Sequence, residues 1–159
     1  MHQRLLSKTL VTSISPQEQW QLRLILPYPE WDVQLVPGLG ELRRAVRDSS
    51  CRVALTDTRL PDGHTWKDVL DEFGGFTEGP LLIVADRLAD EALWAEVLNL
   101  GGYDLLNTPF EPAEVQRVVQ LAWEFHLRQT ERLRISKRAA EGSRRREEAR
   151  ISHCPLAAP

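Results

Sequence analysis

Short apolar, often β-branched runs alternate without exception with stretches of helical periodicity along the first 125 residues. The runs are TLVTSI (9–14), WDVQLV (31–36), CRVALTD (51–57), PLLIVA (80–85) and YDLLN (103–107). The stretches QEQWQLRLIL (17–26), ELRRAVRDS (41–49), TWKDVLDEF (65–73), ADEALWAEVLNL (89–100) and EPAEVQRVVQLAWEF (111–125) place apolar residues at helical spacing. Parallel strands need a crossover, and helical crossovers cover both faces of the sheet. Val53-Ala54-Leu55 runs without polar alternation, as in a strand buried on both faces, and PLLIVA is the most apolar run of all. The expected class is therefore α/β, a doubly wound (βα)5 parallel sheet.

The element ends carry their own signals. Ser15 precedes the first helix with Glu18 three residues on, the spacing of a capping box. Pro27 and Pro29 end that helix. Gly74-Gly75 stops the third, Gly101-Gly102 reads as the C-cap of the fourth, and Pro112 sits in the first turn of the fifth. The apolar stripe of the last helix, Val115, Val118, Ala122 and Phe125, continues into Gln129 and Arg132 and so fades. The domain is expected to span 7–127. Residues 128–159 are expected to form a basic helical extension, frayed or disordered from 139.

Composition excludes several classes. No stretch approaches the roughly 18 apolar residues of a membrane span. Lys8 interrupts the N-terminal apolar run and no small-residue cleavage site follows, so a signal peptide is rejected and a cytoplasmic location expected. Cys51 and Cys154 are far apart and read as unpaired thiols. The net charge of −3 is unevenly spread: residues 128–150 hold nine Lys/Arg and four Glu, a net of +5, leaving −8 for the rest. That tail lacks aromatics and mixes its charges, so it reads as a solvated helix rather than a nucleic-acid patch.

In an open parallel sheet, ligands bind beyond the carboxyl ends of the strands. Those positions are Ser13, Ile14 and Ser15 after the first strand, Asp57 after the third, Ala85-Asp86 after the fourth, and Thr108-Pro109-Phe110 after the fifth. Asp57 is followed by Pro61 four residues on, then Asp62-Gly63.

At this point the chain resembles the response-regulator receiver domains of two-component signalling, over about residues 7–127. Asp57-Thr58-Arg59-Leu60-Pro61-Asp62-Gly63 matches the phosphoacceptor Asp with Pro four on and then Asp-Gly. Gly101-Gly102-Tyr103-Asp104, followed by Thr108-Pro109-Phe110, sits where receivers have a Gly-Ala-Asp-Asp stretch and then Lys-Pro-Phe. The resemblance implies a flavodoxin-like fold with strand order 2-1-3-4-5, Asp57 as the candidate phosphoacceptor, and a cis peptide at Thr108-Pro109.

Other functional positions depart from the family. Its acidic pair at the end of strand one, which holds Mg²⁺, falls here on Ser13 and Ile14, or on Ile14 and Ser15 if the alignment slips by one. Its Ser or Thr after strand four is Ala85, its Lys before Pro-Phe is Thr108, and its aromatic switch residue in strand five is Leu105. Mg²⁺ is usually held by one or two carboxylates plus phosphate oxygens, and Asp57 alone is a poor site. No lysine is left to pair with a phosphoryl oxygen.

The expectation is a pseudo-receiver, not an enzyme, with its phosphorylation switch lost or weakened and no cofactor. The alternative is a working phosphoacceptor, modified on Asp57 by a histidine kinase with Mg²⁺. Glu18 or Asp86 would then substitute as acidic ligand and Arg59 or Arg87 as cation; without that substitution, Ser13, Thr56 and Thr108 offer hydroxyls to the pocket. The expected partners are signalling proteins, among them a histidine kinase or an output protein. The expected partner surface is helix four, strand five and helix five, with Trp94, Leu98 and Trp123 as anchors beside Ala92, Ala95, Leu105 and Arg117, and a homodimer through that face is a further expectation.

Other features are set aside. Gly38-Leu39-Gly40 is half of a dinucleotide fingerprint but follows strand two, with Arg43 where the third Gly belongs. His64 reads as the exposed start of helix three. His153-Cys154 supplies two ligands, too few for a metal site. No strand end presents a nucleophile with its base.

Overall fold

The computed structural model describes residues 7–153 of the chain. Ten elements follow one another: β1 (Lys8–Ser13), α1 (Pro16–Ile25), β2 (Trp31–Leu35), α2 (Leu39–Asp48), β3 (Val53–Asp57), α3 (Trp66–Gly74), β4 (Leu81–Asp86), α4 (Glu91–Leu100), β5 (Asp104–Asn107) and α5 (Pro112–Ser152). All strand pairs are parallel and the sheet order is β2-β1-β3-β4-β5. This is the flavodoxin-like arrangement expected from the β-α alternation. Two units divide the chain, one through His126 and one from Leu127 on.

Within the first unit the sheet separates two apolar layers. Leu10, Ile14, Leu55, Ile83, Ala85 and Leu106 pack against α1 and α5 through Leu22, Val115 and Ala122. Val11, Ala54, Leu82, Val84 and Leu105 point the other way, against Leu42 of α2, Val69 of α3 and Val97 of α4. Neighbouring residues of one strand thus serve opposite layers, the period-two geometry of a strand. The central strands lack polar positions because each face is covered. The register aligns the carboxyl ends: Ser13 lies beside Thr56, Asp57 beside Ala85, and Asp86 beside Asn107.

Several local expectations change. α1 has Ser15 at its N-cap but no side-chain capping bond. The amide of Ser15, which a capping box would give to Glu18, donates instead to Asp57 Oδ2 at 3.1 Å, and the Ser15 hydroxyl makes a very short hydrogen bond to the Glu18 carboxylate. A reciprocal box forms instead at α3, between Thr65 and Asp68. α4 ends as expected, with Gly101 at φ 103°, where a side chain is strained. Thr108-Pro109 is cis, as is Tyr28-Pro29.

The tail differs most from its reading. α5 runs to Ser152 without the fraying expected from residue 139. From Leu127 to Ser152 it holds no proline, one glycine, and mostly Arg, Glu, Ala and other good helix formers. Cys154, half of the His153-Cys154 pair, lies outside the described residues, as do residues 1–6. No helix among the described residues is long and apolar enough to cross a membrane.

Candidate functional site

Asp57 ends β3 at the mouth of a cavity of about 350 Å³. The cavity is lined by the loop after β1 (Ser15, Glu18), the end of β3 (Asp57, Thr58, Arg59), the end of β4 (Ala85 to Leu88) and Thr108 after β5. It therefore stands at the carboxyl edge, between strands whose crossovers go to opposite faces.

Three carboxyl groups converge on this cavity, and each is held by its neighbours. Asp57 takes the Ser15 amide. Glu18, 5% exposed, is bound by the Ser15 hydroxyl and has Arg87 Nε 3.6 Å away. Arg87 also donates to Gln17 Oε1 at 3.3 Å. Asp86 accepts the Thr58 hydroxyl in a very short bond and the Leu88 amide at 2.7 Å. Burial and the Glu18 carboxylate push the Asp57 carboxyl up to about 6; the Ser15 amide opposes this, Asp86 adds to it and Arg87 opposes it.

The positions that depart from the receiver pattern are placed as follows. Ile14 is fully buried in the α1/α5 layer and Ala85 beside it. The Ser13 side chain is also fully buried, on β1, and among the described residues its hydroxyl has no hydrogen-bond partner, like those of Thr12 and Thr56. The expectation that Ser13 and Thr56 offer hydroxyls to the pocket is thus not met: neither lines it, because β1 and β3 turn both side chains into the interior. Thr108, 6% exposed, does line it, followed by the cis bond to Pro109. Leu105 is buried in the α2–α4 layer.

Mg²⁺ wants near-octahedral oxygen ligands, and the residues present do not fit it. Among the described residues no group of three or more His, Cys, Asp or Glu is arranged to hold a metal. The Glu18 and Asp86 oxygens are already engaged by Ser15, Arg87, Thr58 and Leu88. The engagement of Glu18 and Asp86 by Ser15 and Thr58 was missed from sequence. Its signal was the pair of hydroxyl residues, one just past β1 and one directly after Asp57.

A second surface lies at the β5 edge of the sheet. Trp94 on α4 is 48% exposed, and its indole Nε1 donates to Asp104 Oδ1 at 3.1 Å. Leu98 is 37% exposed one turn on, while Ala92, Ala95 and Arg117 are also exposed. Trp123 does not join this face, which corrects the sequence reading. Its ring meets Trp31 edge-on at 5.7 Å and lies under the Arg52 guanidinium at 5.3 Å, on the β2 and β3 side. The reason is its azimuth, one residue past the inward-facing Ala122. Leu121 and Phe125, both exposed, are the apolar residues α5 presents instead.

No protein-family model matches this chain, and no curated protein matches it in sequence. Solved structures do match in fold. A CheY-like response-regulator receiver domain protein from Methanospirillum hungatei superposes with a TM-score of 0.65 at 18% identity, over 78% of this chain and 98% of that one. The receiver domain of the Francisella response regulator 1452 gives 0.64 at 17% identity, over 74% and 97%. The beryllofluoride-activated receiver-domain dimer of NtrC4 gives 0.66 at 18% identity, over 75% and 98%. The chain has the fold of these receiver domains.

Proposed function

We propose that this chain is an atypical receiver that signals by protein–protein binding, with phosphorylation of Asp57 lost or severely weakened, and that it is not an enzyme. One observation carries the reading: none of Ser13, Ile14 and Ser15, among which the family's metal-binding acidic pair falls, is acidic, and Ser13 and Ile14 are fully buried. Phosphoryl transfer is catalysed mainly by positioning and by neutralising charge. Here the carboxylate that would attack is held mostly neutral below pH 6, has negative neighbours, and has no lysine at Thr108. Removing one electrostatic donor costs about 10²–10³ in rate. The partner surface is the α4–β5 edge with Trp94 and Leu98 as anchors, since a half-exposed Trp already fixed by a hydrogen bond loses little entropy on docking. Signalling proteins are the expected partners, and a second copy of the chain through the same edge is one candidate.

A second reading keeps Asp57 as a phosphoacceptor for a histidine kinase. It is favoured by the Glu18 and Asp86 carboxylates beside Asp57 and by the Arg87 cation. Intact-mass measurement after incubation with Mg²⁺ and acetyl phosphate separates the two, with Asp57→Asn alongside. The expected result is no adduct on either protein. One added phosphoryl group on the wild type alone would overturn the first reading.

A further inference from the structure

We propose that the helix from Leu127 to Ser152 is a docking surface for the phosphate backbone of double-helical DNA, and that it presents to the major groove the face made by Arg132, Ile135, Ala139, Ser143, Arg146 and Arg150. This stands apart from the Asp57 cavity and does not depend on whether that carboxylate is phosphorylated.

Read as a string the tail mixes its charges, and wound into a helix it carries cations on several sides, one of which holds three arginines with no glutamate among them. At about 100° per residue, the six named positions fall within a sector of roughly 80°. No glutamate lies inside it, and Glu131 and Glu147 flank its two edges. Every residue from Glu131 to His153 is exposed. Among the described residues, no salt bridge engages any of the eight cations from Arg132 to Arg150. Seven of these eight are arginine, the residue whose planar fork matches phosphate oxygens in pairs.

The shape of the face suits a groove. Its middle is small, Ala139 and Ser143 with Gly142 at the edge, so the helix axis can come close to a surface there. Its ends are arginine. Arg132 and Arg146 are about 21 Å apart along the axis at 1.5 Å per residue, which lets the two ends reach phosphates on opposite walls of a groove about 12 Å wide. B-form DNA admits an α-helix in that groove, whereas the major groove of A-form RNA is too narrow. A membrane fits less well, because Leu133 and Ile151 lie on the side opposite Ile135 and no apolar face exists.

The test is fluorescence anisotropy of a labelled mixed-sequence DNA duplex of about 20 base pairs, titrated with the full chain at several salt concentrations. Binding is expected in the micromolar range at low salt, weakening steeply as salt rises. Arg132→Ala/Arg146→Ala/Arg150→Ala is expected to weaken it at least tenfold and to flatten the log–log salt slope by nearly three units, about 0.9 for each phosphate no longer neutralised. Arg134→Ala/Arg138→Ala/Arg145→Ala removes the same charge from another side and is expected to cost less than threefold. Alanine is the best helix former, and circular dichroism confirms that both variants keep the helix. No anisotropy change at low salt, or equal losses in the two variants, overturns the proposal. Tighter competition by an RNA duplex of equal length overturns it in favour of RNA, and tighter competition by a polyglutamate peptide in favour of an acidic protein partner.

Discussion

At the scale of single residues, the site is marked by what Asp57 costs. Its carboxyl is raised from 3.8 to about 6, and a shift of one unit is worth about 1.4 kcal/mol. Discounted for its partial exposure, the ionised group costs about 1–2 kcal/mol at pH 7. Asp57→Asn is therefore expected to stabilise the protein by about that amount, read from the midpoint of urea unfolding. An unchanged or lower midpoint would mean that the charge is compensated in a way the Ser15 amide and Arg87 do not explain. Asp62 shows the opposite behaviour. Although slight burial pulls the other way, the amides of Leu39 and His64 and the His64 ring hold its carboxyl below the usual range. A Cβ on Gly38 would stand 2.1 Å from Asp62 Oδ2. Gly38→Ala is expected to expel that carboxylate, free the Leu39 amide and cost about 1–2 kcal/mol. Combined with Asp62→Ala it should cost little more than either alone, since both break the same hydrogen bond; full additivity would contradict the assignment.

Elements were legible in proportion to how far local chemistry decides them. Val53-Ala54-Leu55 announced a covered strand, Gly101 a helix end, and Asp57 with Pro61 a site at a strand terminus; burial and backbone sterics fix each within a few residues. What stayed hidden depended on partners far along the chain. Ser15 and Glu18 carry a capping-box pattern, yet Asp57, 42 residues away, takes the Ser15 amide, and no local rule weighs a competitor of that kind. Trp123 was assigned to the wrong side because an amphipathic pattern gives the buried stripe and not the direction of its rim. The tail was expected to fray because its apolar stripe ends, whereas Arg, Ala and Glu sustain a helix by propensity alone. Removing 132–159 takes away only exposed residues of that helix, so the midpoint is expected to move by less than about 0.5 kcal/mol. A larger loss, by the same urea unfolding, would show that the extension contributes to the core.

Across the whole molecule, two titrating groups at opposite edges of the sheet pull stability in opposite directions. Asp57 lies at the carboxyl edge. His126, on α5, lies at the amino edge, with Nε2 2.9 Å from the carbonyl of Gly79 and Nδ1 3.4 Å from Arg52. Burial lowers the His126 pKa, Arg52 adds to this, and the Gly79 bond opposes it. Asp57 binds its proton more tightly folded than unfolded, so stability falls as pH rises from about 4 to about 6. His126 binds its proton less tightly folded, so stability is full above about 6.5 and falls on acidification. The two act in opposite directions in the wild type as pH falls from about 7 to about 4.5, and single substitutions expose each. Asp57→Asn leaves His126 alone and should lose stability as pH drops through that range. His126→Gln keeps a donor for Gly79, leaves Asp57 alone, and should gain stability over the same drop. Below about pH 4 both should fall, because Asp62 and Asp68, held below their usual range, then begin to be protonated. Urea midpoints of the three proteins at half-unit steps of pH read this directly. If the two variants track the wild type to within a few tenths of a kcal/mol, the opposition of these two sites is not what shapes the curve.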